Sequence, residues 1–203
     1  MIGIITGDIV NSRKLSSQIW IDGLKKLLNN FGHTPTEWEI YRGDEFQLEI
    51  KKPEEALRAA IYIKSYFKSI KLDVRMSIGF GDKTYSANKI SESNGSAFIR
   101  SGEVFETLKK QKINLLINSG NLMLDREINL MLRLCLTFMD NWLAQSAEFV
   151  QVAIANPTLS QDEIGLKLGI NQAAVSRRRK RAQFDLMMEI EKHFREKIKA
   201  INQ

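Results

Sequence analysis

The alternation of apolar and polar positions changes character once along the chain. Up to about residue 120, short strand-type runs alternate with longer runs of helical period; beyond it only the helical period remains. Ile2 to Ile5 is apolar and β-branched and meets Thr6-Gly7-Asp8, the pattern of a short buried strand running into a turn. From Ser16 to about Phe31 the residues Ile19, Trp20, Leu24, Leu27 and Leu28 recur at helical spacing, until "GHTPTE" breaks the pattern. The stretch "IYRGDEFQLEI", residues 40–50, reads as a strand pair with Ile40, Phe46, Leu48 and Ile50 inward. Pro53 opens a helix whose inner face is Leu57, Ala60, Ile61, Phe67 and the stem of Lys64, with Glu54 and Glu55 complementing its dipole. "LDVRMSIGFG" is a strand with Val74, Met76 and Ile78 set against Arg75 and Ser77. "NGSAFIRSGEVFETLKK" is a turn and a helix, and "INLLIN" is a closing strand. This order predicts an α+β fold: a ferredoxin-like antiparallel sheet with helices over one face.

No strand signal follows residue 120. Asp125 is a fair N-cap, and Ile128, Met131, Leu132, Cys135, Met139 and Trp142 follow at helical spacing, in a helix that bridges the two halves or pairs with a second copy. The expected division is an α+β domain over 1–122 and an all-α domain over 123–203.

Within the second part, Ser160 and Glu163 have capping-box spacing, Ile164 and Leu168 give an apolar face, and Gly169 supplies a left-handed helix end. Asn171 then caps a second helix with Ala174 and Val175 inward. Helix, glycine turn and helix make a helix-turn-helix over about 160–183, resembling that of bacterial transcription regulators. In this motif the second helix enters the major groove, which makes Gln172, Ala173, Ser176, Arg177, Arg178, Lys180 and Arg181 the DNA-binding candidates. Every residue from Arg177 to Arg181 is Arg or Lys, a density suited to phosphates. Arg179 departs from the aliphatic residue usual four after Val175; its stem packs only if its head snorkels outward.

Composition adds little to this picture. With 203 residues, 43% hydrophobic and 27% charged, the chain can bury a core, and its formal charge of +6 admits an anionic partner without naming one. Cys135 is the only cysteine, so an internal disulfide is excluded and a buried thiol is expected. No basic leader precedes "MIGIITGDIV" and no apolar run approaches membrane-spanning length, so a soluble cytoplasmic protein is expected. His33 and His193 have no partner spacing and read as surface residues; no nucleophile set is visible, and no catalytic residue is assigned.

The acids of "GDIVNSR" and "YRGDEF" are the remaining candidates. Asp8 and Asp44 could face each other across adjacent strands. Two carboxylates with a backbone carbonyl and waters make the hard-oxygen set that suits Mg²⁺, the candidate cofactor, especially with phosphates completing the shell. Val10 to Arg13 would offer backbone N–H groups, a hydroxyl and a cation to a triphosphate. The alternative is that Asp8 closes a turn or caps the helix near Ser16, while Asp44 and Glu45 occupy a hairpin tip.

In this order these motifs resemble the palm domain of class III nucleotidyl cyclases and GGDEF proteins over about residues 1–110, with "RMSIGFG" and "NGSAF" similar to later palm elements. The resemblance implies metal binding by Asp8, Asp44 and Glu45, and nucleotide binding around Ile9, Asn11, Ser12, Arg13 and Arg42. Where cyclases carry a transition-state Asn and Arg this chain has Ile99 and Glu103; Ile40 replaces the purine-selecting Lys of many cyclases, and Arg42 the first glycine of GGDEF. Taken whole, "MIGIITGDIVNSR", "YRGDEFQLE", "RMSIGFG" and "ESNGSAF" before a helical region resemble the SatD family nearly end to end, which implies a regulator. The expectation is a DNA-binding transcriptional regulator, homodimeric on double-stranded DNA and without membrane attachment, whose palm-like domain binds a nucleotide or metal-nucleotide. Its rivals are an Mg²⁺-dependent nucleotide enzyme and a degenerate palm serving as a dimerisation scaffold.

Overall fold

The computed structural model describes residues 1–41 and 43–202. Its first strand, β1 (Ile2–Val10), runs straight through Thr6-Gly7-Asp8 instead of turning there. Gly7 serves packing: a Cβ at that position would lie 2.6 Å from the Phe46 ring and 3.0 Å from the carbonyl oxygen of Arg75. The chain turns only at Asn11, which adopts a left-handed conformation with φ 59°. Asp8 therefore sits inside a strand, neither closing a turn nor capping α1 (Ser17–Leu28).

β1 is central. It pairs antiparallel with β3 (Glu45–Ile50) on one side and β4 (Asp73–Gly81) on the other, giving the sheet order β2-β3-β1-β4-β5. β2 (Trp38–Tyr41) forms the hairpin with β3, and β5 (Leu115–Asn118) lies parallel to β4. The first four strands have the expected ferredoxin-like order. The fifth makes the sheet mixed, because the helix between β4 and β5 brings the chain back to the end from which β4 began.

Ile5, Ile9, Phe46, Leu48, Val74, Met76, Ile78 and Phe80 form one face of the sheet, buried against α1 and α2 (Ala56–Ser69). The other face is also covered. α3 (Ser96–Gln111) packs Ala97 and Phe98 on Ile4, and a buried hydroxyl set joins it to the sheet: Ser101 Oγ donates to Thr6 Oγ1 at 2.8 Å, and Ser77 Oγ to the Ser101 carbonyl at 2.8 Å. Helices thus lie on both faces, against expectation. The small polar residues that suggested an outward face are what let α3 approach; a Cβ on Gly79 would be 2.2 Å from the Ala97 carbonyl oxygen.

α4 (Leu122–Met139) begins four residues earlier than expected. Asn121, not Asp125, is its cap, with Oδ1 accepting from the amides of Met123 and Leu124, while Asp125 accepts from the Ser119 amide. Asn129 seals the edge of β5: its Oδ1 accepts from the Ile117 amide and its Nδ2 donates to the Ile117 carbonyl. Met123, Leu130 and Leu134 on α4 face outward, as does Ile19 on α1, which is 57% exposed although it shares the helical pattern of the buried residues.

α5 (Ala144–Ala155) packs on α2, so one apolar core continues from the sheet layer into the helical region. Lys64 at this seam is buried to its ammonium, not by its stem alone. Its Nζ lies 2.7 Å from Asp73 and 2.6 Å from Asp140, the second an ion contact without hydrogen-bond alignment. α6 (Gln161–Leu168), α7 (Gln172–Arg181) and α8 (Phe184–Ile201) complete the chain. α8 returns to the sheet domain through Phe194, whose ring centre is 5.9 Å from that of Phe80, and through Arg195, which pairs with Glu55 and Glu191. Among the described residues no strand follows β5, and no helix is long and apolar enough to cross a membrane.

Candidate functional site

The α6–α7 unit forms by the local rules read in its sequence. Ser160 and Glu163 make a reciprocal capping box, Gly169 ends α6 at φ 65° and ψ 32°, and Asn171 Oδ1 accepts from the Ala174 amide at 2.9 Å. Gly165, which drew no notice in the sequence, sets the crossing: a Cβ there would meet the Ile170 carbonyl oxygen at 2.6 Å. Val175 is fully buried beneath α7.

Gln172, Ala173, Ser176, Arg177 and Lys180 are all exposed, and their spacing of i, i+1, i+4, i+5 and i+8 places them on one outward face, with Arg181 exposed at its end. Gln172 Nε2 donates to Gln161 Oε1 across the start of the two helices. Arg178 is the departure. Three residues beyond Val175, it lies on the inner shoulder of α7, and its guanidinium donates to Glu148 Oε2 at 3.1 Å and to the Gln145 carbonyl of α5. Arg179 behaves as its odd position requires: its guanidinium carbon sits 5.5 Å from the Phe184 ring centre while Nε bonds Asp185 at 2.8 Å.

The second candidate lies at the end of β1. Asp8 stands directly opposite Glu45 on β3 and Arg75 on β4. Glu45 is thus a strand residue; the β2–β3 turn is Gly43 and Asp44, with Gly43 at φ 90°. Arg75 Nη2 donates to Asp8 Oδ2 at 2.8 Å, and Ser12 Oγ donates to Asp44 Oδ2 at 2.7 Å. The Ile9 amide donates to the Asp44 carbonyl at 3.1 Å, which ties the hairpin tip to β1 and occupies a donor expected to be open to phosphate. Asn11, Ser12, Arg13 and Lys14 follow in the tight turn after β1 and, with Asp8, Asp44, Arg75 and Lys109 of α3, line an open cleft of about 510 Å³. Arg42 lies outside the described residues.

Burial raises the Asp8 carboxyl above its ordinary value; Arg75 opposes that shift, and the negative charge of Asp44 adds to it. The residues fit a hard divalent cation in one respect: Asp8 Oδ1 is buried and accepts no hydrogen bond from the described residues, while Asp44 is near enough for its charge to be felt. Among the described residues no group of three or more His, Cys, Asp or Glu side chains is arranged for a metal. The carboxylates on offer are Asp8 and Asp44, with Glu45 opposite Asp8 on β3, and backbone oxygens and water would complete a shell.

Arg75 and Lys109 were missed from the sequence. Arg75 reads there as the outward member of an alternating strand, and only the extension of β1 to Val10 gives it Asp8 as a neighbour. His193 also gains a partner, Glu127 on α4 at 2.6 Å. Ile99 and Glu103 of α3 are exposed. No protein-family model matches the chain, and no curated protein matches it.

Proposed function

We propose that the protein is a DNA-binding transcriptional regulator whose sheet domain senses a nucleotide. The observation that supports the first half best is the outward face of α7, where Arg177 and Lys180 stand beside Gln172 and Ser176 on a helix braced from behind by α5 and α6. Arg and Gln at the start of such a helix have the geometry to read guanine and adenine edges, and Lys180 and Arg181 suit flanking phosphates. Two copies on a two-fold site would multiply affinity. The test is selection from a random duplex pool followed by titration of the recovered sequence. A defined sequence bound at least about a hundredfold more tightly than random duplex at physiological salt is expected; equal affinity for both rejects the reading.

The sensing half rests on the cleft after β1, where Arg13, Lys14, Arg75 and Lys109 surround two acids. Asp8 and Asp44 would hold Mg²⁺, which would neutralise part of a nucleotide's phosphate charge, while Ser12 keeps Asp44 oriented. The same acids favour a second reading, an Mg²⁺-dependent nucleotide enzyme. Against it stand exposed Ile99 and Glu103, neither able to stabilise developing negative charge. Incubation with Mg²⁺ and each nucleoside triphosphate separates the two: product that disappears in Asp8→Asn selects the enzyme, and binding without turnover selects the sensor.

A further inference from the structure

An arginine and a carboxylate frequently meet through two parallel hydrogen bonds, which satisfy both oxygens and two donors. The Asp8–Arg75 pair does not. It is a single bond, Nη2 to Oδ2 at 2.8 Å, and it leaves Arg75 Nε and Asp8 Oδ1 both buried and without hydrogen-bond partners among the described residues. Buried polar atoms are nearly always satisfied, so two orphans in one ion pair call for an explanation. Neither side chain is sealed in: Arg75 is 17% and Asp8 22% exposed, and both line the cleft that holds Asn11, Arg13, Lys14 and Lys109. Among the described residues the lining carries four cations, Arg13, Lys14, Arg75 and Lys109, against Asp8 and Asp44. An anion entering this space would meet a net positive wall, and Arg75 would exchange one imperfect carboxylate contact for phosphate oxygens that accept its planar fork.

We infer that Arg75 is an exchangeable counter-ion: it holds Asp8 while the cleft is free of phosphate and moves to a polyphosphate when one binds, with Lys109 as the second cation, leaving Asp8 to a divalent cation. Arg75 is on this account a positioning residue that sets the order of events, because an acid held by a guanidinium is a poor ligand for a metal. The inference rests on the reading of the cleft as a nucleotide site and adds the residue that couples its two occupants.

One substitution then has effects of opposite sign on two ligands, larger than the loss of one nearby positive charge gives by itself, for which Lys109→Ala is the measure. Titration calorimetry of Mn²⁺ alone, and of inorganic tripolyphosphate alone in the presence of a chelator, would be run on the wild type, Arg75→Gln and Lys109→Ala, with circular dichroism to verify folding. Arg75→Gln is expected to bind Mn²⁺ about tenfold more tightly and tripolyphosphate about tenfold more weakly than wild type. Lys109→Ala is expected to weaken tripolyphosphate alone. Losses for both ligands in Arg75→Gln, or no change in either, would overturn the exchange while leaving a nucleotide site in place. Wild type and Arg75→Gln that bind neither ligand, nor a nucleoside triphosphate with Mg²⁺, would remove the nucleotide reading as well.

Discussion

Arg75 and Arg177 both project from regular elements and both read as outward positions in the sequence, yet the fold treats them differently. Arg75 meets Asp8 across two strands and lies half enclosed at a cleft. Arg177 stands exposed among Gln172, Ser176 and Lys180. A strand brings residues distant in sequence into register, so charges at its end acquire partners and their properties become those of a set. A short helix held by caps and an apolar back presents its outer charges singly, each available to an external anion. On the proposed reading the sheet end would respond to a ligand by rearranging its pairs, whereas α7 would offer a surface fixed beforehand.

The partnered extreme is Lys64, fully buried between Asp73 of β4 and Asp140 at the end of α4. Lys64→Met keeps the volume and removes the charge, leaving two carboxylates at the seam with Lys68 as the remaining cation beside Asp73 among the described residues. A loss of about 3–5 kcal/mol in unfolding free energy is expected from denaturant titration. A variant as stable as wild type would mean that partnered charges in this protein contribute little, and the contrast with α7 would lose its energetic basis.

On the solvent side, Arg177→Ala is expected to lose about 1–3 kcal/mol of binding to a selected duplex and much less to random DNA, with thermal stability unchanged. Equal losses on both duplexes would make Arg177 a phosphate contact. Lys180→Ala should weaken both duplexes alike and lower the salt slope of binding by about one. Arg178→Ala provides the internal control, because its guanidinium is held by Glu148 and Gln145. It should reduce stability more than sequence preference.

These differences also explain how much could be read beforehand. Capping box, left-handed Gly169, Asn171 cap and buried Val175 are local signals, decided within a few residues, and the structure keeps each of them. The four-strand order likewise followed from the alternation of elements. The parts that were not legible depend on register or on close approach. Gly7 looked like a turn because glycine marks turns, and only the Phe46 ring across the hairpin reveals its packing role. Ser77 looked outward because it is polar, and only α3 on the second face makes its hydroxyl buried. Arg178 looked like its neighbours because the basic run was read for its charge, although its place three residues after the buried Val175 already set it on the inner shoulder of α7. The acids were visible as residue types, but the guanidinium that holds one of them appears only once β1 and β4 are aligned.

The smallest expected effect is also the sharpest test of the sheet end. Burial and Asp44 raise the carboxyl of Asp8 in the folded protein despite Arg75. At pH values above the ordinary carboxylate value of 3.8 the folded chain then holds more proton at this position than the unfolded chain, so the contribution of Asp8 to stability falls as pH rises through its folded pKa. Asp8→Asn removes that dependence. Its unfolding free energy should match wild type in acid and exceed it by less than about 1 kcal/mol at neutral pH, while metal binding is lost. Because a neutral amide still accepts from Arg75, the gain measures the ionic penalty rather than a lost contact. A variant that is instead less stable at neutral pH would mean that the attraction of Arg75 outweighs burial and the repulsion of Asp44. The pair would then be a structural clasp, and the sheet end would resemble the seam at Lys64 more than a site waiting for an anion.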